Sequence, residues 1–205
     1  MNAKGITKKS WLSLSAIRLI PHIILMKYHP SRECIKLDIE RWLSCLNLGK
    51  MPDTTLGVVW SFIQLMTFHP EFRSLFYYRI GWFSKTLHLL CCPMPTLYIY
   101  TEDIGPGLFI QHGFATVITA RKIGRNCWIN QQVTIGFTNN TDRPTIGDNV
   151  IIYAGAKILG DVKVGDNSIV GANAVVLKDV PENCTVVGVP AYIVRRNGVK
   201  MRESL

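Results

Sequence analysis

With 205 residues, 48% of them hydrophobic, the chain is long and apolar enough to bury a sizeable core, which excludes a low-complexity or disordered protein away from its ends. The formal charge of +9 is uneven, with 12 Lys/Arg against 5 Asp/Glu in residues 1 to 100 and 11 against 9 in residues 101 to 205. Anionic partners suit that excess, but no aromatic-basic signature accompanies it, so a nucleic-acid partner is not expected.

Lys4, Lys8 and Lys9 are not followed by the apolar core and small-residue cleavage site of a secretory signal. The longest apolar runs, Leu19 to Met26 and Leu56 to Met66, are interrupted by Pro, His, Ser or Gln and fall short of the roughly 20 residues of a spanning helix. Six cysteines, at 34, 45, 91, 92, 127 and 184, lack paired metal spacing and the Cys-x-x-Cys form, so reduced thiols and a cytoplasmic location are expected.

Residues 1 to 30 read as a polar start and an amphipathic helix broken near Pro21. Leu12, Ile17, Ile20 and Ile24 are expected to face a core, and Arg18 and Lys27 water. Use of this basic helix at a membrane surface is the less favoured alternative to core or oligomer packing. A second helix is predicted from Ser31 to Leu48, capped by Ser31 and stopped by Gly49, and a third from Thr55 to Thr67. Pro70-Glu71 then introduces a fourth, Phe72 to Leu90, whose Phe76, Tyr77, Trp82 and Phe83 are expected to pack on the domain that follows. Pro93 and Pro95 mark the end of a helical region spanning 1–95.

From Ile104 to Val176 an aliphatic residue returns every sixth position: Ile104, Ile110, Val117, Ile123, Ile129, Ile135, Ile146, Ile152, Ile158, Val164, Val170 and Val176. One extra residue precedes Val117, and a longer excursion separates Ile135 from Ile146. A period of six fits neither a 3.6-residue helix nor an alternating strand. It fits a parallel β-helix in which three six-residue edges make one coil. Four positions after the aliphatic residue stands a second inward candidate, among them Cys127, Val133, Val150, Ala156, Val162, Ser168 and Ala174. A β-helix domain over 96–197 and a C-terminal tail over 198–205 complete the predicted organisation. The excursion, Phe137 to Thr145, is rich in Asn, Thr and Asp and must leave the coil.

Of five histidines, His112 alone lies in the repeat domain, directly before Gly113 at the first irregular step. An imidazole there suits proton abstraction from a hydroxyl, although a structural histidine at a coil corner is the alternative. Asp142 in the excursion is the acidic candidate for the same role.

Several segments carry a resemblance: Tyr78-Arg79-Ile80-Gly81, GLFIQHG at 107–113, VTIGF at 133–137, AGAKILGDVKVG at 154–165, GANAVVLKDVP at 171–181 and GVPAYIV at 188–194. The chain resembles the hexapeptide-repeat acyltransferases and, within them, the serine acetyltransferase family, closely over its second half and loosely over its first. The resemblance implies a mainly β fold with an α-helical N-terminal region, the β part being a left-handed parallel β-helix of hexapeptide repeats. It also implies an acetyl-CoA-dependent O-acetyltransferase acting on L-serine without a metal, assembled as a homotrimer or dimer of trimers with its site between two subunits. His112 then removes the proton of the acceptor hydroxyl as that oxygen attacks the thioester. Backbone N–H groups hold the oxyanion, a contribution of about 3 to 4 kcal/mol per donor.

By the same resemblance the CoA chain runs near Gly136, Ala154 and Ala172, with Lys178 and the pair Arg195-Arg196 toward its phosphates. Two positions depart from the family pattern. Gln111 stands where an acidic residue precedes the histidine, and Arg143 stands at, or beside, the place of a second histidine. Both concern the acceptor, so O-acetylation of a sugar hydroxyl in surface-polysaccharide assembly is an alternative function, and a non-catalytic, partner-binding scaffold is another.

Overall fold

The computed structural model describes residues 3–205, with side chains from Trp11 onward. It divides into two compact units, Met1–Met94 and Pro95–Leu205.

The first unit is helical. α1 (Ala3–Arg18) and α2 (Ile20–Tyr28) meet at Leu19, and Pro21 is accommodated in the first turn of α2, where its missing N–H has no helical partner to lose. Bonds from Leu19 N to Ser15 O (3.1 Å) and from Ile23 N to Leu19 O (2.9 Å) carry helical spacing through the junction. The buried line is Ser15, Leu19, His22 and Met26. Ile17, Ile20 and Ile24, expected inward, are instead 68%, 53% and 52% exposed. The segment is apolar on both sides, so periodicity alone admits either face. His22 settles it by bonding its Nε2 to the Tyr77 hydroxyl at 2.9 Å.

α3 (Arg32–Cys45) and α4 (Thr55–Phe68) follow, the second capped by Thr54 accepting from Gly57 N at 3.2 Å. The predicted fourth helix is broken: α5 (Pro70–Ile80) ends at Gly81, a 3-10 turn covers Gly81–Phe83, and α6 is the short Ser84–Leu87. Phe76 and Tyr77 lie in the helical unit's own core, whereas Trp82 and Phe83 are exposed. Phe62 meets Phe72 and Phe76 edge-on at 6.2 and 5.0 Å, and Trp42 meets Phe72 at 5.2 Å. Arg79 of the Tyr-Arg-Ile-Gly segment is buried with Asp38, its Nε and Nη2 donating to the two carboxylate oxygens at 2.8 and 3.2 Å. That fork ties α5 to α3.

The second unit winds through three parallel faces. β1 (Leu97–Ile99), β4 (Thr116–Ile118), β7 (Thr134–Gly136), β10 (Lys157–Leu159) and β13 (Val175–Val176) stack as the first face. β2 (Asp103–Ile104), β5 (Lys122–Ile123), β8 (Thr145–Ile146) and β11 (Lys163–Val164) form the second. The third holds β3 (Phe109–Ile110), β6 (Trp128–Ile129), β9 (Ile151–Ile152), β12 (Ile169–Val170) and β14 (Cys184–Val187). Every third strand returns to the same face, which makes about five coils of β-helix.

Register places the repeat residues in columns, Ile104–Ile123–Ile146–Val164 on one face and Ile110–Ile129–Ile152–Val170 on another. The third column is Ile118–Ile135–Ile158–Val176. Ile118 therefore replaces Val117 as the inward residue. The corner before it contains two left-handed residues, His112 (φ 61°) and Ala115 (φ 52°), and takes up two more residues than a strict period of six. Cys127 lies in the interior, its Sγ donating to Gly147 O at 3.1 Å, as a core residue and not a nucleophile. At the corner between the second and third faces, Asn126, Asn149, Asn167 and Asn183 all take positive φ. Their amides chain upward, Asn149 to Asn167 and Asn167 to Asn183, each at 3.1 Å.

Residues 198–205, expected as a tail, are mostly strand. β15 (Tyr192–Arg196) and β16 (Val199–Ser204) fold back antiparallel on β14. Asn197 (φ 49°) and Gly198 (φ 79°) make the two-residue turn between them. An Asn-Gly pair with both φ positive matches the twist of a tight hairpin.

Candidate active site at an edge of the β-helix

His112 follows β3 at the corner where the third face turns into the first, and its side chain is exposed. Successive corners stack directly: Gln132 N donates to Phe114 O (3.0 Å), Gly155 N to Gln131 O (3.0 Å) and Asn173 N to Ala154 O (2.9 Å). His112, Gln131, Ala154 and Ala172 thus mark one edge of the β-helix. Adjacent coils lie about 4.8 Å apart, so Ala154 and Ala172 stand roughly 10 and 15 Å along the edge from His112.

Above the histidine the edge is kept low. Gly155 has φ 75°, and a Cβ there would lie 2.0 Å from Asn173 Oδ1, so no side chain fits. Between His112 and Ala154 the buried Oε1 of Gln131 has no hydrogen-bond partner. Gly136 ends β7 at the far border of the first face, beside the excursion and away from the edge of Ala154 and Ala172; it is buried against Leu159 and Thr134, 3.8 Å from where a Cβ would stand. Gln131 was absent from the sequence reading, as were Phe114 and Tyr153, rings 43% and 42% exposed on the same edge. Their signal is positional: each falls in the corner of its own hexapeptide.

The excursion lies on the opposite border of the first face, between β7 and β8. Asp142 organises it. One carboxylate oxygen accepts from Thr138 N (2.8 Å) and Asn139 N (3.0 Å), and the other accepts from the Thr138 hydroxyl. The Thr138 hydroxyl, then the loop amides, hold the Asp142 carboxyl below its ordinary range. Asn139 Oδ1 accepts from Thr141 N and Asp142 N, each at 3.0 Å, closing the loop on itself.

Within one chain the structure does not bring His112 together with Asp142 and Arg143. A face of about five or six extended residues separates the two borders, roughly 15 to 20 Å. Gln111 stands beside His112 at the end of the third face, its N–H bonded to Ile129 O at 2.9 Å. Lys178 lies beyond β13, on the excursion's border and not on the edge of Ala154 and Ala172. Its ammonium donates to Leu205 O at 2.7 Å, beside a cavity of about 450 Å³ lined by Leu177, Tyr192 and Arg202.

Residues 143–178 match the family model described as bacterial transferase hexapeptide (six repeats). A serine acetyltransferase of Synechococcus elongatus is 45% identical over 153 residues, covering 68% of this chain and 63% of that protein. One from Staphylococcus aureus is 49% identical over 105 residues, 49% of each chain. The chain thus spans about half to under two thirds of the length of these relatives. Among solved structures, soybean serine acetyltransferase complexed with serine is 30% identical, with a TM-score of 0.64 over 82% of this chain and 72% of that one. Fold, repeat and likeness over both units agree: the chain belongs to the serine acetyltransferase family of left-handed β-helix, hexapeptide-repeat proteins.

Proposed function

We propose that the protein is an acetyl-CoA-dependent O-acetyltransferase of the cytoplasm whose acceptor is the hydroxyl of L-serine. The observation that carries this reading is His112, an exposed imidazole at the foot of an edge whose next corners hold the small residues Ala154, Gly155 and Ala172. Bound acetyl-CoA supplies the activated acyl group. The rest falls to the chain.

The low corners let the donor approach the backbone near Ala154 and Ala172. His112 removes the hydroxyl proton as the acceptor oxygen bonds to the thioester carbon, then returns that proton to the departing sulfur as the carbon–sulfur bond breaks. The acceptor is oriented by Gln111 beside the imidazole and by Arg143. Because Arg143 is held on the far border of the first face, it serves the His112 of a neighbouring copy, and a trimer of three-faced β-helices provides such borders. Asp142 has the part of shaping the excursion. Three donors already occupy its carboxylate, which favours the ionised form but leaves little capacity to receive a substrate proton.

The test is release of CoA thiol by the purified protein with acetyl-CoA and a panel of serine, homoserine and sugars. Serine-dependent release at the highest kcat/KM supports the reading. Preference for a sugar hydroxyl moves the function to the alternative for which Gln111 and Arg143 speak. Absence of both CoA binding and thiol release leaves the scaffold function.

A further inference from the structure

We propose that the α1–α2 segment docks the protein on an anionic lipid surface. Residues 1–28 contain five cations, Lys4, Lys8, Lys9, Arg18 and Lys27, and no Asp or Glu. The same segment turns large apolar side chains to solvent: Trp11 is 64% exposed, Leu14 65%, Ile17 68%, Ile24 52% and Tyr28 77%. Leu14, Ile17, Ile24 and Tyr28 follow one another at three, seven and four residues, which sets them in one line along the helix. At about 100° per residue that line runs opposite Ser15, Leu19, His22 and Met26, with Arg18 on one flank and Lys27 on the other. The inner line already supplies the helix's contacts to its unit's core.

An apolar ridge flanked by cations suits the boundary between lipid headgroups and acyl chains. Aliphatic and aromatic groups enter that boundary while ammonium and guanidinium groups meet phosphates. A second copy of the same segment is the rival occupant, and charge decides against it: pairing two such segments opposes five cations to five cations, whereas an anionic leaflet neutralises them. Among the described residues no helix is long and apolar enough to cross a membrane, so the contact is with the surface.

The experiment is co-sedimentation of the full chain with phosphatidylcholine vesicles, plain or containing about 30 mol% phosphatidylglycerol, with particle mass measured without lipid. Binding to the anionic vesicles is expected to be at least about tenfold tighter and to weaken at about 0.5 M NaCl. The triple variant Trp11→Ser/Ile17→Ser/Ile24→Ser is expected to lose about tenfold in vesicle affinity or more, with melting temperature and particle mass unchanged. Arg18→Glu/Lys27→Glu is expected to reduce the preference for anionic lipid. Equal or absent sedimentation with the two vesicle types overturns the proposal. So does a triple variant that sediments as a smaller particle without lipid, because the face then belongs to a second copy.

Discussion

His22 shows how one buried side chain ties stability to pH. Burial, with the Arg18 charge adding to it, lowers its pKa from 6.5 to about 4. The Tyr77 hydroxyl donates to Cys91 O (2.5 Å) and Leu87 O (3.2 Å), so it accepts from His22 Nε2–H and leaves the buried Nδ1 without a partner. A proton added at Nδ1 finds no acceptor. The folded state therefore keeps the ring neutral while the unfolded chain protonates it. Stability from this source is complete above pH 6.5 and falls as pH drops toward 4, by a total of about 2 to 3 kcal/mol. Urea denaturation at pH 7 and 4.5, with His22→Gln alongside, isolates the effect, since the variant is expected to lack this part of the acid loss. Equal acid sensitivity of the two proteins would contradict the assignment. Asp142 has the same sign in a lower window: its loop bonds persist until pH falls below the ordinary carboxylate range. Asp142→Ala is expected to raise the acceptor KM about tenfold with a smaller change in kcat, the pattern of a lost positioning contact. A matching collapse of kcat with KM unchanged would instead make Asp142 part of the proton transfer.

At the scale of elements, the Asp38–Arg79 fork predicts an asymmetry. Asp38→Ala leaves a buried guanidinium without its partner and is expected to cost about 3 to 5 kcal/mol, whereas Asp38→Leu/Arg79→Met, which removes both charges, is expected to lie much closer to wild type. Denaturation followed by helical circular dichroism measures both, and a cost under about 1 kcal/mol for the single change would rule out the fork as a lock. In the C-terminal hairpin, Gly198 has open space around it, so Gly198→Val is expected to cost only the left-handed backbone penalty of about 1 to 2 kcal/mol. Much of this architecture was legible in the sequence because a six-residue period has few physical solutions. Inward residues such as Val133, Ala156 and Ala174 fall where the period puts them. Elsewhere local pattern and tertiary packing parted. Val117 and Ile118 are adjacent aliphatics, and only the double left-handed corner before them selects Ile118. The α1–α2 segment offered two apolar faces, and the Tyr77 hydroxyl, distant in sequence, selected one. The hairpin had its signal in Asn197-Gly198, which went unread beside the stronger repeat. His112 stood out as the lone histidine of the repeat domain, but Gln131 did not, because an unpartnered buried oxygen is a property of packing and leaves no mark in composition.

For the whole molecule, the proposed use of both His112 and Arg143, which stand a full face apart in one chain, requires assembly. Sedimentation is expected to give a particle of three chains or a multiple of three, and a stable, fully active monomer would exclude the shared site. In the proposed function, acetyl transfer rests on His112. The most direct measurement is serine-dependent thiol release by wild type and His112→Ala, with CoA affinity and melting temperature determined on the same preparations. The account predicts a kcat lower by about 10²- to 10⁴-fold in the variant, with CoA affinity and melting temperature nearly unchanged. A folded His112→Ala protein that turns over at close to the wild-type rate would contradict it.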